Sequence, residues 1–253
     1  MEWIAVDIIN LVVIFFIGIL AGSFGTLVGG GVLLTIPTLI FFGLSPQTAI
    51  GTSKLGSIGL NTAGWYKFHQ KRMINYKIGF IIGIPIILGS FLGANLVLEF
   101  NEALLRKIIG ILTLLILVFA IIKPEMGVEK AENGTKHSQY LFGSVLGFFL
   151  GVYSGFYGAG AAILSAYILI LLFKQTFLES AATRKIPHLF AAVMSGTVFA
   201  VHGVIIYSLG MSLFIGTFIG SYIGAHYSDK IGNVWIKRLF FVIVLIMAIK
   251  LII

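Results

Sequence analysis

The chain has 253 residues, 58% of them apolar and only 10% charged, and it contains no cysteine. It carries more apolar side chain than a soluble core can hide, and it has no thiol for catalysis, disulfides or metal binding. Its 17 Lys plus Arg against 9 Asp plus Glu would suggest nucleic acid in a soluble protein; between membrane spans the same excess is the positive-inside bias of the loops, and no nucleic-acid partner is expected.

Apolar runs of helical length recur from end to end without the alternating pattern of a barrel, so the expected class is an all-α polytopic membrane protein. In chain order they predict helices over 3–24, 30–43, 46–70, 75–98 and 102–123, then 138–157, 161–173, 177–203, 208–227 and 234–253. The first run lacks the basic start and cleavage pattern of a secretory signal and reads as a first span. Between the two sets of five lies the polar stretch "KPEMGVEKAENGTKH". The chain therefore divides into a first membrane repeat, 1–123, a cytoplasmic linker, 124–137, and a second membrane repeat, 138–253.

Sliding the second half back by 131 residues pairs Gly29 with Gly160, Thr52 with Thr183, Lys54 with Lys185, and the string Gly89, Ser90, Gly93, Ala94 with Gly220, Ser221, Gly224, Ala225. Matched lysines inside apolar helices point to duplication. Five segments per copy reverse the orientation of the second copy. If the loop 67–77 is cytoplasmic, alternation puts most other lysines inside too and both termini outside. The expected architecture is an inverted 5+5 helix repeat with glycine-broken or re-entrant short helices in each half.

The short helices follow "FGTLVGGG" and "GFYGAGAA". Segments of 13 or 14 residues cover about 20 Å of a hydrocarbon core about 30 Å thick, so neither spans alone. The breaks should lie at depth, where irregular backbone is tolerated only in protein or beside a polar cavity. Consecutive Gly29, Gly30 and Gly31 cost about 1 kcal/mol each in a helix, more than one close contact requires. Scattered glycines such as Gly89 and Gly93 suit helix packing, and Gly93→Ala is expected to be mild.

Lys54 in "AIGTSKLGS" and Lys185 in "SAATRKIPHL" each lie roughly 12 Å of helix from an end. Burying such a cation costs about 2.5–3.5 kcal/mol. Either each snorkels, or Lys185 and Arg184 pair with Glu179, or the lysines form an anion site with the Thr52, Ser53 and Thr183 hydroxyls, Arg184 and glycine amides. His188 and His202 fit packed positions. The histidines and acids show no metal-ligand spacing, and the absence of a P-loop leaves no cofactor to expect. A hydrolase using Ser23 or Ser154 with His188 or His202 lacks any visible oxyanion motif, so no enzyme is expected. An anion-selective channel is the nearer alternative to a carrier.

The string "GTLVGGGVLLTIPTLIFFGLSPQTAIGTSKL" and its divergent second copy "GFYGAGAAILSAYILILLFKQTFLESAATRKI" resemble the sulfite exporter TauE/SafE family over nearly the whole chain. The resemblance implies a secondary carrier of sulfur-containing anions such as sulfite or a sulfonate, in the plasma membrane of a prokaryote-like cell, with proton or sodium coupling open. By position it implies substrate-binding roles for Gly29, Gly30, Gly31, Pro37, Thr52, Ser53 and Lys54, then Gly158, Gly160, Thr183 and Lys185, with Arg184 as an added cation. The second copy departs from the pattern with Ala161 and Ala162 in place of glycines, Ile168 in place of Pro37 and Arg184 in place of Ser53.

Overall fold

A computed structural model describes residues 8–122 and 137–228, and among these there is no strand. The helices are α1 (Ile8–Leu27), α2 (Gly31–Phe41), α3 (Pro46–Gln70), α4 (Tyr76–Glu99), α5 (Glu102–Ile122), α6 (His137–Phe156), α7 (Ala161–Phe173), α8 (Phe177–Thr183), α9 (Lys185–Val201) and α10 (Tyr207–His226). The expected helix 234–253 and the linker up to residue 136 lie outside the described residues.

Local chemistry sets several helix starts. Ser45 accepts from the Thr48 N–H with Pro46 in the first turn of α3, and Asn75 accepts from Ile78 at the start of α4. Thr176 and Glu179 form a reciprocal capping box on α8. The single helix expected over 177–203 is two, parted at Arg184. Pro187 explains this: it has no N–H to give the Thr183 carbonyl, and its ring crowds that carbonyl. At the 131-residue offset α3 carries Gly56 instead, and α3 runs on unbroken.

Among the described residues α1, α4, α6 and α10 are each long and apolar enough to cross a membrane, and α7 with α8–α9 adds a fifth candidate, bent by 117°. Large apolar side chains such as Ile84, Leu88, Leu141 and Phe149 point outward, as lipid contact requires. The packing is reciprocal. α1 lies along α10 and α4 along α6, while α3 and α9 pack on each other at the centre, α3 also against α10 and α9 against α4.

Small residues bring these pairs close. A Cβ on Gly89 would meet Phe148 O and one on Gly93 would meet Val152 O; on the other pair, Gly220 faces Ile19 O and Gly224 faces Ser23 O. The packing role expected for Gly89 and Gly93 agrees with this geometry. The expected mildness of Gly93→Ala does not, because the obstacle is a backbone carbonyl with no side-chain freedom to yield.

Candidate functional site

Two helix ends meet two helix starts near the centre. α1 and α6 both finish at a left-handed glycine, Gly29 with φ +87° and Gly158 with φ +79°, a conformation that a Cβ penalises. Their N–H groups reach back five residues, to Phe24 O and Tyr153 O. Gly29 therefore has its conformational counterpart in Gly158, two residues before the position given by the gapless 131-residue slide. The chain then enters α2 through Gly30 and α7 through Gly160. Last-turn carbonyls of α1 and α6 thus stand beside first-turn N–H groups of α2 and α7, partial charges of opposite sign.

A cavity of about 60 Å³ opens there, several times the roughly 10–15 Å³ that one water needs. Its walls are the glycine backbone at 25, 29–31, 158 and 160, one face of α3 bearing Lys54, Ser57 and Asn61, and the start of α9 with Arg184, Lys185 and His188. Lys54, Arg184 and Lys185 are 4%, 1% and 1% exposed, so snorkelling is ruled out for them in this conformation.

Each half of the chain lends its cations to the other. Lys54 Nζ donates to Ser154 O at 2.7 Å, in the last turn of α6. Arg184 donates to Thr26 O and Leu27 O at the end of α1, each at 3.1 Å, and to Ala162 O at 3.1 Å. Lys185 Nζ donates to Thr26 Oγ1 at 3.1 Å. Since Ser221 Oγ donates to Leu60 O, Thr26 must donate to Ser221 in their 2.5 Å contact, which leaves Thr26 Oγ1 an acceptor for the lysine. These partners are neutral dipoles. Among the described residues that line the cavity, none is Asp or Glu, while the Glu179 carboxylate accepts from Thr176 N in the capping box. Three positive charges share the space without a formal counter-charge in its walls.

Eight of the sequence candidates line the cavity: Gly29, Gly30, Gly31, Lys54, Gly158, Gly160, Arg184 and Lys185. The hydroxyls of Thr52, Ser53 and Thr183 are engaged elsewhere. Thr52 Oγ1 accepts from Ile206 N and Thr183 Oγ1 from Asn75 N, each at 3.1 Å, while Ser53 donates to Ile50 O. Pro37 sits inside α2, away from the lining. Ser57 and Asn61 were missed, although positions 54, 57 and 61 share one helix face and could have been found by that spacing. His188 follows Lys185 on the same face of α9.

The serine–histidine pairs considered for a hydrolase are not formed. Ser23 donates to Ile19 O and Gly220 O, His202 bonds the Val198 carbonyl of its own helix, and His188 Nε2 lies 2.9 Å from Ser165 Oγ.

Residues 14–251 match the sulfite exporter TauE/SafE family. The chain belongs to that family. It is 30% identical over 207 residues to a probable membrane transporter protein of Haemophilus influenzae, covering 82% of this chain and 80% of the relative. Identity is 27% to the probable membrane transporter protein YfcA of Escherichia coli, over 94% and 88% of the two chains, and 29% to YdhB of Bacillus subtilis, over 91% and 94%. No solved structure is a significant match. This TauE/SafE protein is a multi-pass membrane protein, and its membership sets it among bacterial membrane transporters.

Proposed function

We propose that the chain is a secondary transporter of a small sulfur-containing anion such as sulfite or a sulfonate, bound between two inverted membrane repeats and moved by alternating access. The observation that carries the reading is the trio Lys54, Arg184 and Lys185, buried around one cavity without a lining carboxylate. Each buried cation costs about 2.5–3.5 kcal/mol, and helix-end carbonyls offset only part of that. An oxyanion supplies the missing negative charge through charge-assisted hydrogen bonds, with first-turn amides of α2 and α7 as further donors. The cavity volume, about 60 Å³, suits a ligand of a few heavy atoms.

The reciprocal packing of α1 on α10 and α4 on α6 supports the inverted repeat, because a two-fold in the membrane plane exchanges those pairs. In that arrangement Lys54 and Lys185 approach one midplane site from opposite sides. Rocking one half against the other would open the site first to one side of the membrane and then to the other. The linker and the 67–77 loop would face the cytoplasm. With no native cysteine, single cysteines at Gln70, Asn101 and Ser138 test this directly: an impermeant thiol reagent added outside should label Asn101→Cys alone, and labelling at Gln70→Cys overturns the inverted topology.

The deciding assay is flux of labelled sulfite and sulfate in proteoliposomes under imposed pH and sodium gradients. Saturable sulfite flux driven by one gradient is expected. Ohmic anion currents without saturation would make the protein a channel, and no sulfite movement under any gradient would remove the substrate assignment.

A further inference from the structure

Resting on the anion-site reading, one acceptor in the cavity wall narrows the ligand further. Asn61 is 6% exposed and lines the cavity on the same face of α3 as Lys54. Its Nδ2 donates to Ser57 O at 2.8 Å. A backbone carbonyl can only accept, so the NH2 group must face Ser57 and the amide cannot be turned over. Oδ1 therefore points the other way, and among the described residues it meets no donor. A side-chain carbonyl oxygen in a cavity lined by three cations is out of place for a fully deprotonated anion: its dipole repels oxyanion oxygens. It suits a ligand that brings a donor of its own.

We propose that Asn61 is a specificity-determining residue that accepts a hydrogen bond from the ligand, so that the site prefers a small monoanionic oxyanion carrying one O–H over an anion of equal charge without a donor. Lys54, Arg184 and Lys185 take up the charge; Asn61 Oδ1 reads the proton. Position 192, which stands 131 residues after Asn61 and also lines the cavity, is alanine. The amide is thus not repeated at the matching position, and it orients the ligand as well as selecting it.

The test is equilibrium binding to the purified full chain at a mildly acidic pH where dissolved sulfite is chiefly hydrogensulfite, with methanesulfonate as a monoanion of similar size lacking an O–H. Lys54, Arg184, Lys185 and His188 surround the same space, so both probes are compared at one pH, where those groups carry the same charge. Wild type should bind hydrogensulfite at least tenfold tighter than methanesulfonate, about 1.4 kcal/mol, because methanesulfonate leaves the buried Asn61 acceptor unpaired. Asn61→Ala, which copies the residue at 192, should weaken hydrogensulfite about tenfold and leave methanesulfonate within twofold. Asn61→Ser, which restores an acceptor on a shorter side chain, should fall between and guards against misfolding of the alanine variant. Equal wild-type affinity for the two probes, or equal weakening of both in either variant, overturns the role of Asn61 while leaving the anion site standing. Failure of wild type to bind either probe overturns the anion site itself.

Discussion

At an offset of 131 residues, α3 presents Lys54, Ser57 and Asn61 to the cavity where α9 presents Lys185, His188 and Ala192. The two helix faces share the lysine and differ at the next two positions. The same division runs through the surroundings. Both halves end their first helix at a left-handed glycine, and both use a threonine, Thr52 or Thr183, to accept from the backbone N–H just before a helix of the other half, α10 or α4. Where they differ is chemical. Ser53, bonded to its own helix, is matched by Arg184, which bridges to three carbonyls. Repetition preserves the backbone frame and the paired charge, and divergence supplies an uneven cavity able to hold a ligand in one orientation.

The largest expected effect comes from making the second half copy the first. Arg184→Ser leaves the Thr26 and Leu27 carbonyls without this donor at about 1–3 kcal/mol each, partly offset by removing a buried cation, while Ala162 O keeps the Ser165 hydroxyl. A net loss on the order of 3 kcal/mol is expected in thermal unfolding of the purified protein. Ser53→Ala, its counterpart, should cost less than about 1 kcal/mol, since the hydroxyl only doubles a bond within its own helix. Similar losses at the two positions would erase the asymmetry.

The shared lysines should behave alike. Lys54→Gln and Lys185→Gln each remove a charge-assisted partner of the ligand, for about 1.5–3 kcal/mol, or roughly tenfold to a hundredfold in sulfite affinity. Affinity unchanged in both variants would return the lysines to a purely structural role.

At the helix starts the halves should part again. A Cβ at Gly31 would lie 2.5 Å from Ala21 O, whereas α7 already carries alanines at 161 and 162. Gly31→Ala should therefore destabilise by about 1–3 kcal/mol through overpacking and impair sulfite flux, while Ala162→Gly should cost no more than about 1 kcal/mol, the helix penalty of glycine. Equal tolerance at both places would mean that α1 and α2 can separate without consequence.

Legibility in the sequence depended on which signals are local. The membrane class, the helix spans, the short glycine-led helices and the buried lysines could be read because apolar length, glycine runs and charge in an apolar segment are properties of neighbouring residues. The break at Arg184 was readable in principle from Pro187, but the apolar run across it concealed the missing N–H. Asn61 was passed over because its role depends on which face of α3 turns inward. The gapless offset misplaced the counterpart of Gly29, since the two breaks differ in length. Thr52 and Thr183 show the limit most clearly: their matched positions inside matched strings suggested a ligand role, and only the fold shows what their oxygens accept.

That pair gives the smallest expected effect and the sharpest test of frame against site. Thr52 Oγ1 accepts from Ile206 N and Thr183 Oγ1 from Asn75 N, each at 3.1 Å, and Gln175 Nε2 donates to Thr183 as well. Thr→Val keeps the shape and removes the acceptor, leaving a backbone N–H short of its partner for about 1 kcal/mol. Thr52→Val and Thr183→Val should each lower stability by about that amount, Thr183→Val slightly more because the Gln175 amide also loses its acceptor. Sulfite affinity should stay within about twofold in both, because neither hydroxyl lines the cavity. A tenfold loss of affinity with unchanged stability would mean that these hydroxyls leave their backbone partners during transport and meet the anion in another conformation, and the division into shared frame and divergent site would have to be redrawn around them.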